Sequence, residues 1–98
     1  MRKKPENTHC ELCQRDAPLT FHHLIPRKVH RRARFQKHYT LEQLQQGVWL
    51  CYPCHRAVHR RHDEMELALR FNSLEALKSD PDMASHIVWI RKQKVLSL

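Results

Sequence analysis

Four cysteines are the feature that most constrains the fold of this 98-residue chain. They form two Cys-x2-Cys pairs, Cys10 with Cys13 and Cys51 with Cys54. A two-residue gap lets both thiolates of a pair reach one tetrahedral ion, so the two pairs can supply the four sulfurs of a structural zinc site. A chain this short hides only about 60 to 65% of its surface on folding, and bound zinc would supplement its small core. The alternatives are two disulfides, which a reducing compartment disfavours, and four free buried thiols, which the paired spacing disfavours.

The charge balance points to an anionic partner. The chain has 18 Lys and Arg against 10 Asp and Glu, a formal net charge of +8. Nucleic acid is the commonest partner of a small domain with this balance. No apolar run approaches the roughly 20 residues that a membrane span needs, and the first residues lack the apolar stretch of a signal peptide. We therefore expect a cytoplasmic protein that does not contact a membrane.

Short runs of β-branched and aromatic residues predict two strands, at residues 19–25 and 48–51. Between the strands, Thr40 and Gln43 form a capping-box pattern that predicts a short helix, with Gly47 as its stop. The strands and helices together predict an α+β fold.

The remainder of the chain is predicted to be helical. Pro53 falls in the first turn of a helix that begins after the second cysteine pair. Three further helix starts are predicted: Asp63, Asn72-Ser73 and Asp80-Pro81. An apolar face is predicted on the last helix, formed by Met83, Ala84, Ile87, Val88 and Ile90.

Four of the nine histidines form a pattern. His55 and His59 are four apart on a predicted helix, so both imidazoles project from one face and can bind one ion. His22 and His23 are adjacent on a predicted strand and point to opposite sides, so that one of them can join the helical pair. Three protein ligands leave positions for water or a substrate oxygen. The alternative is a packed strand histidine and a helical pair that faces solvent.

Three motifs follow one another along the chain: Cys10-x2-Cys13, His22-His23-Leu24-Ile25-Pro26 and Leu50-Cys51-x2-Cys54-His55-x3-His59. In this order they resemble the HNH endonucleases, which have a ββα-metal core and a four-cysteine zinc. The resemblance spans about residues 10–60. It implies that His22, His55 and His59 bind one divalent cation, which is Mg2+, Mn2+, Ni2+ or Zn2+. It also implies that His23 is the general base in hydrolysis of DNA, by a single-metal mechanism that leaves 5′-phosphate and 3′-hydroxyl ends.

The chain departs from the family at one position. The family usually has an Asn a few residues before the second cysteine pair, where it steadies the hairpin loop and so the base. Gln46 stands nearest that place. Its side chain carries the same amide one methylene further out, which makes Gln46 the candidate for this role.

The segment 27–38 is strongly basic and contains no acidic residue. Because it joins the two predicted strands, we expect it to lie near the scissile phosphate and to contact DNA without reading its sequence. The alternative is a solvated charged loop. Phe35 and Tyr39 are expected to anchor the segment rather than to stack on bases. Seven cations are candidate phosphate contacts: Arg27, Lys28, Arg31, Arg32, Arg34, Arg56 and Arg60.

We expect one HNH nuclease domain over residues 1–98. Within it, residues 1–9 are expected to be a flexible N-terminus, 10–60 the zinc-stabilised ββα-metal core and 61–98 a helical extension. One alternative function is a non-catalytic, zinc-stabilised nucleic-acid-binding module. A zinc-dependent protein-interaction module, with Trp89 on its partner surface, is another. Both a monomer and a homodimer are compatible with the sequence.

Overall fold

A computed structural model describes residues 9–94. The expected flexible N-terminus therefore lies outside the described residues, except for His9, which forms an isolated bridge with Asp16. The strands are β1 (Leu19–His23) and β2 (Gly47–Cys51). The helices are α1 (Ala33–His38), α2 (Leu41–Leu44), α3 (Tyr52–Arg61), α4 (Glu64–Arg70), α5 (Leu74–Ser79) and α6 (Pro81–Arg91). The predicted small α+β fold is confirmed.

The two strands form an antiparallel sheet whose register sets the positions of the histidines. His22 lies opposite Val48, and His23 lies opposite Gly47. The strand β1 ends two residues earlier than predicted. Beyond it the Leu24 amide still donates to the carbonyl of Gln46, at 3.2 Å.

The short helix α2 begins as predicted but ends differently. The Thr40 hydroxyl accepts from the Gln43 amide at 3.1 Å, and the Gln43 side chain accepts from the Thr40 amide at 2.9 Å. The prediction that Gly47 stops this helix is wrong, because the helix ends at Leu44 and Gly47 opens β2. A Cβ atom at Gly47 would overlap the backbone carbonyl of His22 and the ring of Phe21. Glycine is therefore required by the close approach of the two strands.

The predicted helix starts after β2 are confirmed. Pro53 lies in the first turn of α3. The Asp63 carboxylate accepts from the Glu66 amide at 2.7 Å and caps α4. Ser73 caps α5 and Asp80 caps α6 in the same way. Each cap satisfies an amide that the first helical turn would otherwise leave without a partner.

The last helix packs on α3 and α5 through a narrower face than predicted. Met83, Ile87 and Ile90 are buried, as predicted. Ala84 and Val88 are exposed, so that part of the prediction is wrong. The buried stripe of α6 follows three- and four-residue spacing and consists of Met83, His86, Ile87 and Ile90. Ala84 and Val88 lie outside this stripe.

The basic segment 27–38 is folded rather than a simple loop. It contains a 3-10 turn at Arg27–Val29 followed by α1. Phe35 is 1% exposed and stacks on Tyr39, with ring centres 6.0 Å apart. Phe35 therefore anchors this segment to a small apolar cluster, as expected, while the cationic side chains stay exposed.

A buried polar cluster joins the end of α3 to the elements that follow. The His62 ring donates from Nε2 to Asp80 at 2.6 Å and from Nδ1 to Glu66 at 2.5 Å. It also stacks on Phe71, with ring centres 4.2 Å apart. His62 and Asp80 are each less than 10% exposed, so the cluster fixes the start of α6 against the end of α3. Among residues 9–94, none of the helices has both the length and the apolar character that crossing a bilayer requires.

Candidate metal sites

The four cysteines come together in one buried cluster. Their sulfur atoms all lie within 4.8 Å of one another, and each residue is at most 1% exposed. The Cys13 and Cys51 sulfurs are 3.7 Å apart. Sulfurs at the corners of a tetrahedron with Zn–S bonds of about 2.3 Å are separated by about 3.8 Å, whereas a disulfide needs about 2.05 Å. The cluster can therefore hold a metal ion such as zinc.

The thiols of this cluster affect one another strongly. Hydrogen bonds with Cys10 and Cys51, together with burial, raise the pKa of the Cys54 thiol. Hydrogen bonds from Cys10 and Cys54 lower the pKa of Cys51, to which Arg15 also donates. Four buried thiolates this close would repel one another without a cation between them. A divalent ion would allow all four to ionise.

Two separate elements bring the cysteine pairs together. The first pair lies in a turn in which Gln14 has a φ of 67°, a left-handed conformation. Glu11 fixes this turn on β2, because its amide donates to the Trp49 carbonyl at 3.0 Å and its carboxylate accepts from the Trp49 amide at 2.6 Å. In the second pair, Cys51 ends β2 and Cys54 lies in the first turn of α3.

Three histidines form a second cluster. His22 on β1 faces His55 and His59 on α3, with ring centres 5.0 to 5.2 Å apart. One nitrogen from each ring lies within 4.8 Å of the others. The spacing argument left open which strand histidine would join the helical pair, and the structure brings His22 there. The three rings could hold one metal ion.

The environment of His22 fits a metal ligand. The side chain is 1% exposed, and within the described part of the chain neither ring nitrogen has a hydrogen-bond partner. Burial, followed by the neighbouring charges of His55 and His59, lowers the pKa of His22 to about 3. The ring is therefore neutral at physiological pH and keeps a lone pair for an ion. A buried polar atom without a partner costs about 1 to 3 kcal/mol, a cost that a metal–nitrogen bond would remove.

Thr20 determines which nitrogen of His55 is available. The Thr20 hydroxyl donates to the Leu50 carbonyl at 3.0 Å and lies 2.7 Å from Nδ1 of His55. Because its single proton is used on the carbonyl, the hydroxyl accepts from Nδ1–H, which leaves Nε2 of His55 unprotonated. Sequence reasoning missed Thr20. Its position two residues before His22, on the same side of β1, was the available signal.

His23 lies on the other side of β1, as predicted for adjacent strand residues. Its ring packs edge-on to Phe21, with centres 4.9 Å apart, and lies 5.8 Å from the ring of His30. His30 is fixed by a 2.5 Å hydrogen bond from Nε2 to the Ile25 carbonyl. The basic segment thus places a second imidazole beside His23, which the sequence pattern had not singled out.

Gln46 meets the end of β1 through its backbone. Its carbonyl accepts from the Leu24 amide, one residue beyond His23. The exposed Gln46 side chain lines a small cavity of about 150 Å³ together with Tyr39 and Asn72. Gln46 therefore extends the strand pairing by one hydrogen bond at the loop end of the hairpin, next to His23.

All seven candidate phosphate contacts are exposed. Arg56 and Arg60 line an open cavity of about 420 Å³ with His55, His59 and Tyr52. The five cations of the basic segment are not among the residues that line it. Lys28 forms an ion pair with Glu64 at 3.5 Å. The structure thus brings two of the seven cations into the cavity that contains His55 and His59.

Over 85 residues the chain is 40% identical to a protein of Bacillus subtilis (strain 168) described as uncharacterized protein YisB. The aligned part covers 86% of this chain and 74% of that protein. No protein-family model matches the chain, and no solved structure matches it.

Proposed function

The chain belongs to the family of the Bacillus subtilis protein YisB, and we propose that it is a metal-dependent endonuclease of the HNH type that hydrolyses DNA phosphodiester bonds. The main support is the buried His22, whose two ring nitrogens have no partner in residues 9–94 and which faces His55 and His59. The hairpin of β1 and β2 followed directly by α3 is the element order expected of a ββα-metal core.

His23 is the general base in this proposal. A neutral imidazole can take a proton from water at neutral pH, since its ordinary pKa is near 6.5. His23 directly follows His22 on β1 and points to the other side of the strand, so the base is held next to the histidine cluster without entering it. The neighbouring His30 ring supports one side of the base. The backbone of Gln46 extends the pairing of the hairpin on which the base lies.

The histidine cluster and the adjacent cations bind the phosphate. A divalent ion held by His22, His55 and His59 would offset the negative charge that develops on the phosphate and on the leaving 3′ oxygen. Arg56 and Arg60 are on the same helix as two of these ligands and line the same cavity, so their guanidinium groups can bind phosphate oxygens. The remaining cations supply attraction to the DNA backbone.

A nicking assay tests this function. Purified zinc-loaded protein is incubated with supercoiled plasmid and Mg2+ or Mn2+, with and without a chelator. We expect nicking by the wild-type chain, loss of nicking in His23→Ala and unchanged zinc content in both. The matched control is His38→Ala, because His38 is an exposed histidine on α1 outside the cluster.

Undiminished nicking by His23→Ala would contradict the mechanism. A wild-type protein that binds DNA and a second divalent ion but never cleaves would instead identify a non-catalytic nucleic-acid-binding module.

A further inference from the structure

A second and larger cavity, of about 540 Å³, lies between the start of α3 and the end of α6. Tyr52, Pro53, Trp89 and Ile90 form its apolar walls. Trp89 is 57% exposed and Tyr52 is 52% exposed. Isolated exposed apolar side chains are normal, whereas two accessible aromatic rings in one concave surface indicate a binding site.

The charged residues around this cavity are positive. Arg15 and Lys94 are part of its lining, which contains no acidic residue from the described ranges. Arg15 donates to the Gln93 carbonyl at 3.2 Å and to the Cys51 sulfur at 3.7 Å, so its guanidinium is fixed and offsets the charge of that thiolate. Lys94 is exposed. An apolar interior with the exposed Lys94 cation at its edge fits a flat, uncharged ring that is joined to an anionic group.

Tyr52 connects this cavity to the histidine cluster. It lines the larger cavity and also the one that contains His55, His59, Arg56 and Arg60. The Arg56 guanidinium carbon is 5.7 Å from the centre of the Tyr52 ring. A nucleic-acid strand whose phosphate lies at the histidines would therefore pass Tyr52 and reach Trp89.

We propose that this cavity, here called the aromatic groove (Arg15, Tyr52, Trp89, Ile90 and Lys94), binds an unpaired nucleobase next to the scissile phosphate. The preferred substrate is then DNA with a single-stranded segment beside the cleavage position. This proposal rests on the proposed nuclease function. Bases in a duplex are stacked on each other, so their faces cannot contact Trp89, whereas an unpaired base presents a full face to an aromatic ring.

The test measures binding separately from cleavage. Zinc-loaded His23→Ala protein is titrated with a labelled duplex, and with the same duplex extended by an unpaired thymidine segment. We expect the extended DNA to bind at least about fivefold more tightly, because stacking of one base on an aromatic ring is generally worth that much. Adding Trp89→Leu should remove this preference, and adding Trp89→Phe should keep most of it.

Val88→Ala is the matched control, since Val88 is also 57% exposed on α6 but does not line the groove. This variant should keep the full preference. Lys94→Gln is a second variant. We expect it to weaken binding of the extended DNA more than binding of the duplex. Thermal melting of each variant confirms that it folds.

Equal affinity for both DNAs, or a preference that survives Trp89→Leu, would contradict base binding in the aromatic groove, even if the wild-type protein nicks plasmid. A Trp89-dependent preference in a chain whose wild type never cleaves would instead overturn the nuclease function and leave the groove as a base-binding site. Concentration-dependent self-association that Trp89→Leu abolishes, without any effect on DNA, would show that the groove binds protein and would also overturn the proposal.

Discussion

Nδ1 of His55 lies 2.7 Å from the hydroxyl oxygen of Thr20, and this contact selects the ring nitrogen that can bind an ion. The two residues come from α3 and β1, so the contact also fixes the helix against the strand that carries His22. Partners of this kind orient metal ligands in many proteins.

We expect Thr20→Val to weaken binding of Mn2+ at the histidine cluster by about tenfold or more, because the isosteric side chain cannot accept from His55. Calorimetric titration of zinc-loaded protein measures the affinity. The ring-nitrogen chemical shifts of His55 should change from the values of a single tautomer to those of a mixture of two tautomers. Thr20→Ser keeps the hydroxyl and should restore both readouts, and an unaltered affinity in Thr20→Val would contradict the assigned tautomer.

Cys13→Ser should remove bound zinc and unfold the core. Structural zinc contributes on the order of 10 kcal/mol to folding of small domains, and Cys13 is buried. Metal analysis and thermal melting measure the effect, and a chelator added to the wild-type chain should reproduce it. Ser85→Ala, an exposed change on α6, is the control. A cooperative and unshifted melt of Cys13→Ser would contradict the four-thiolate zinc site.

Stability should depend on pH through His62. Burial lowers the pKa of His62, but hydrogen bonds and charges from Asp80 and Glu66 outweigh it, so the pKa is raised above its ordinary value. A raised histidine pKa stabilises the fold fully below the unfolded pKa of about 6.5, and this contribution is lost as pH rises through the folded pKa.

The check is urea unfolding of zinc-loaded protein from mildly acidic to mildly alkaline pH. The difference in the free energy of unfolding between wild type and His62→Gln should shrink as pH increases. Taking this difference cancels the titration of the other histidines. A difference that stays constant over the whole range would show that the charge of His62 contributes nothing.

Arg60 and Arg31 should affect catalysis differently. Arg60 lines the cavity that contains His55 and His59, whereas Arg31 is exposed on the basic segment and does not line that cavity. Under the proposed function, Arg60→Gln should lower kcat for nicking by about tenfold or more. Arg31→Gln should mainly weaken DNA binding. It should also reduce, by about one, the steepness with which the logarithm of the binding constant falls with the logarithm of the salt concentration. Equal effects of the two substitutions on kcat would contradict a role of Arg60 in binding the scissile phosphate.

The features that follow local rules were predictable from the sequence. The spacing of Cys10 and Cys13, the helical spacing of His55 and His59, and the cap at Thr40 each depend on residues within one turn or one helix. Such patterns have fixed geometry wherever the element forms, so spacing alone identified the cysteine pair and the helical histidine pair as candidate metal ligands, while the strand histidine that joins the helical pair stayed open.

The features that depend on contacts between distant segments were not predictable. Gly47 has the local pattern of a helix stop, but its role depends on the ring of Phe21 across the hairpin. Thr20 became visible as a partner only once α3 was placed beside β1. The His62 and Asp80 pair likewise joins positions 18 residues apart. Strand register and helix docking determine these contacts, and neither is encoded in a short window of sequence.

Cys51 is paired with Leu19 in the sheet and is also the residue from which α3 starts. Loss of zinc from the Cys51 sulfur would therefore remove a common anchor of the strand that carries His22 and the helix that carries His55. Under the proposed function, the histidine cluster would then assemble only after zinc has bound the cysteines, and the affinities of the two metal sites would be thermodynamically linked. The expected order of maturation is then zinc first and the exchangeable ion second.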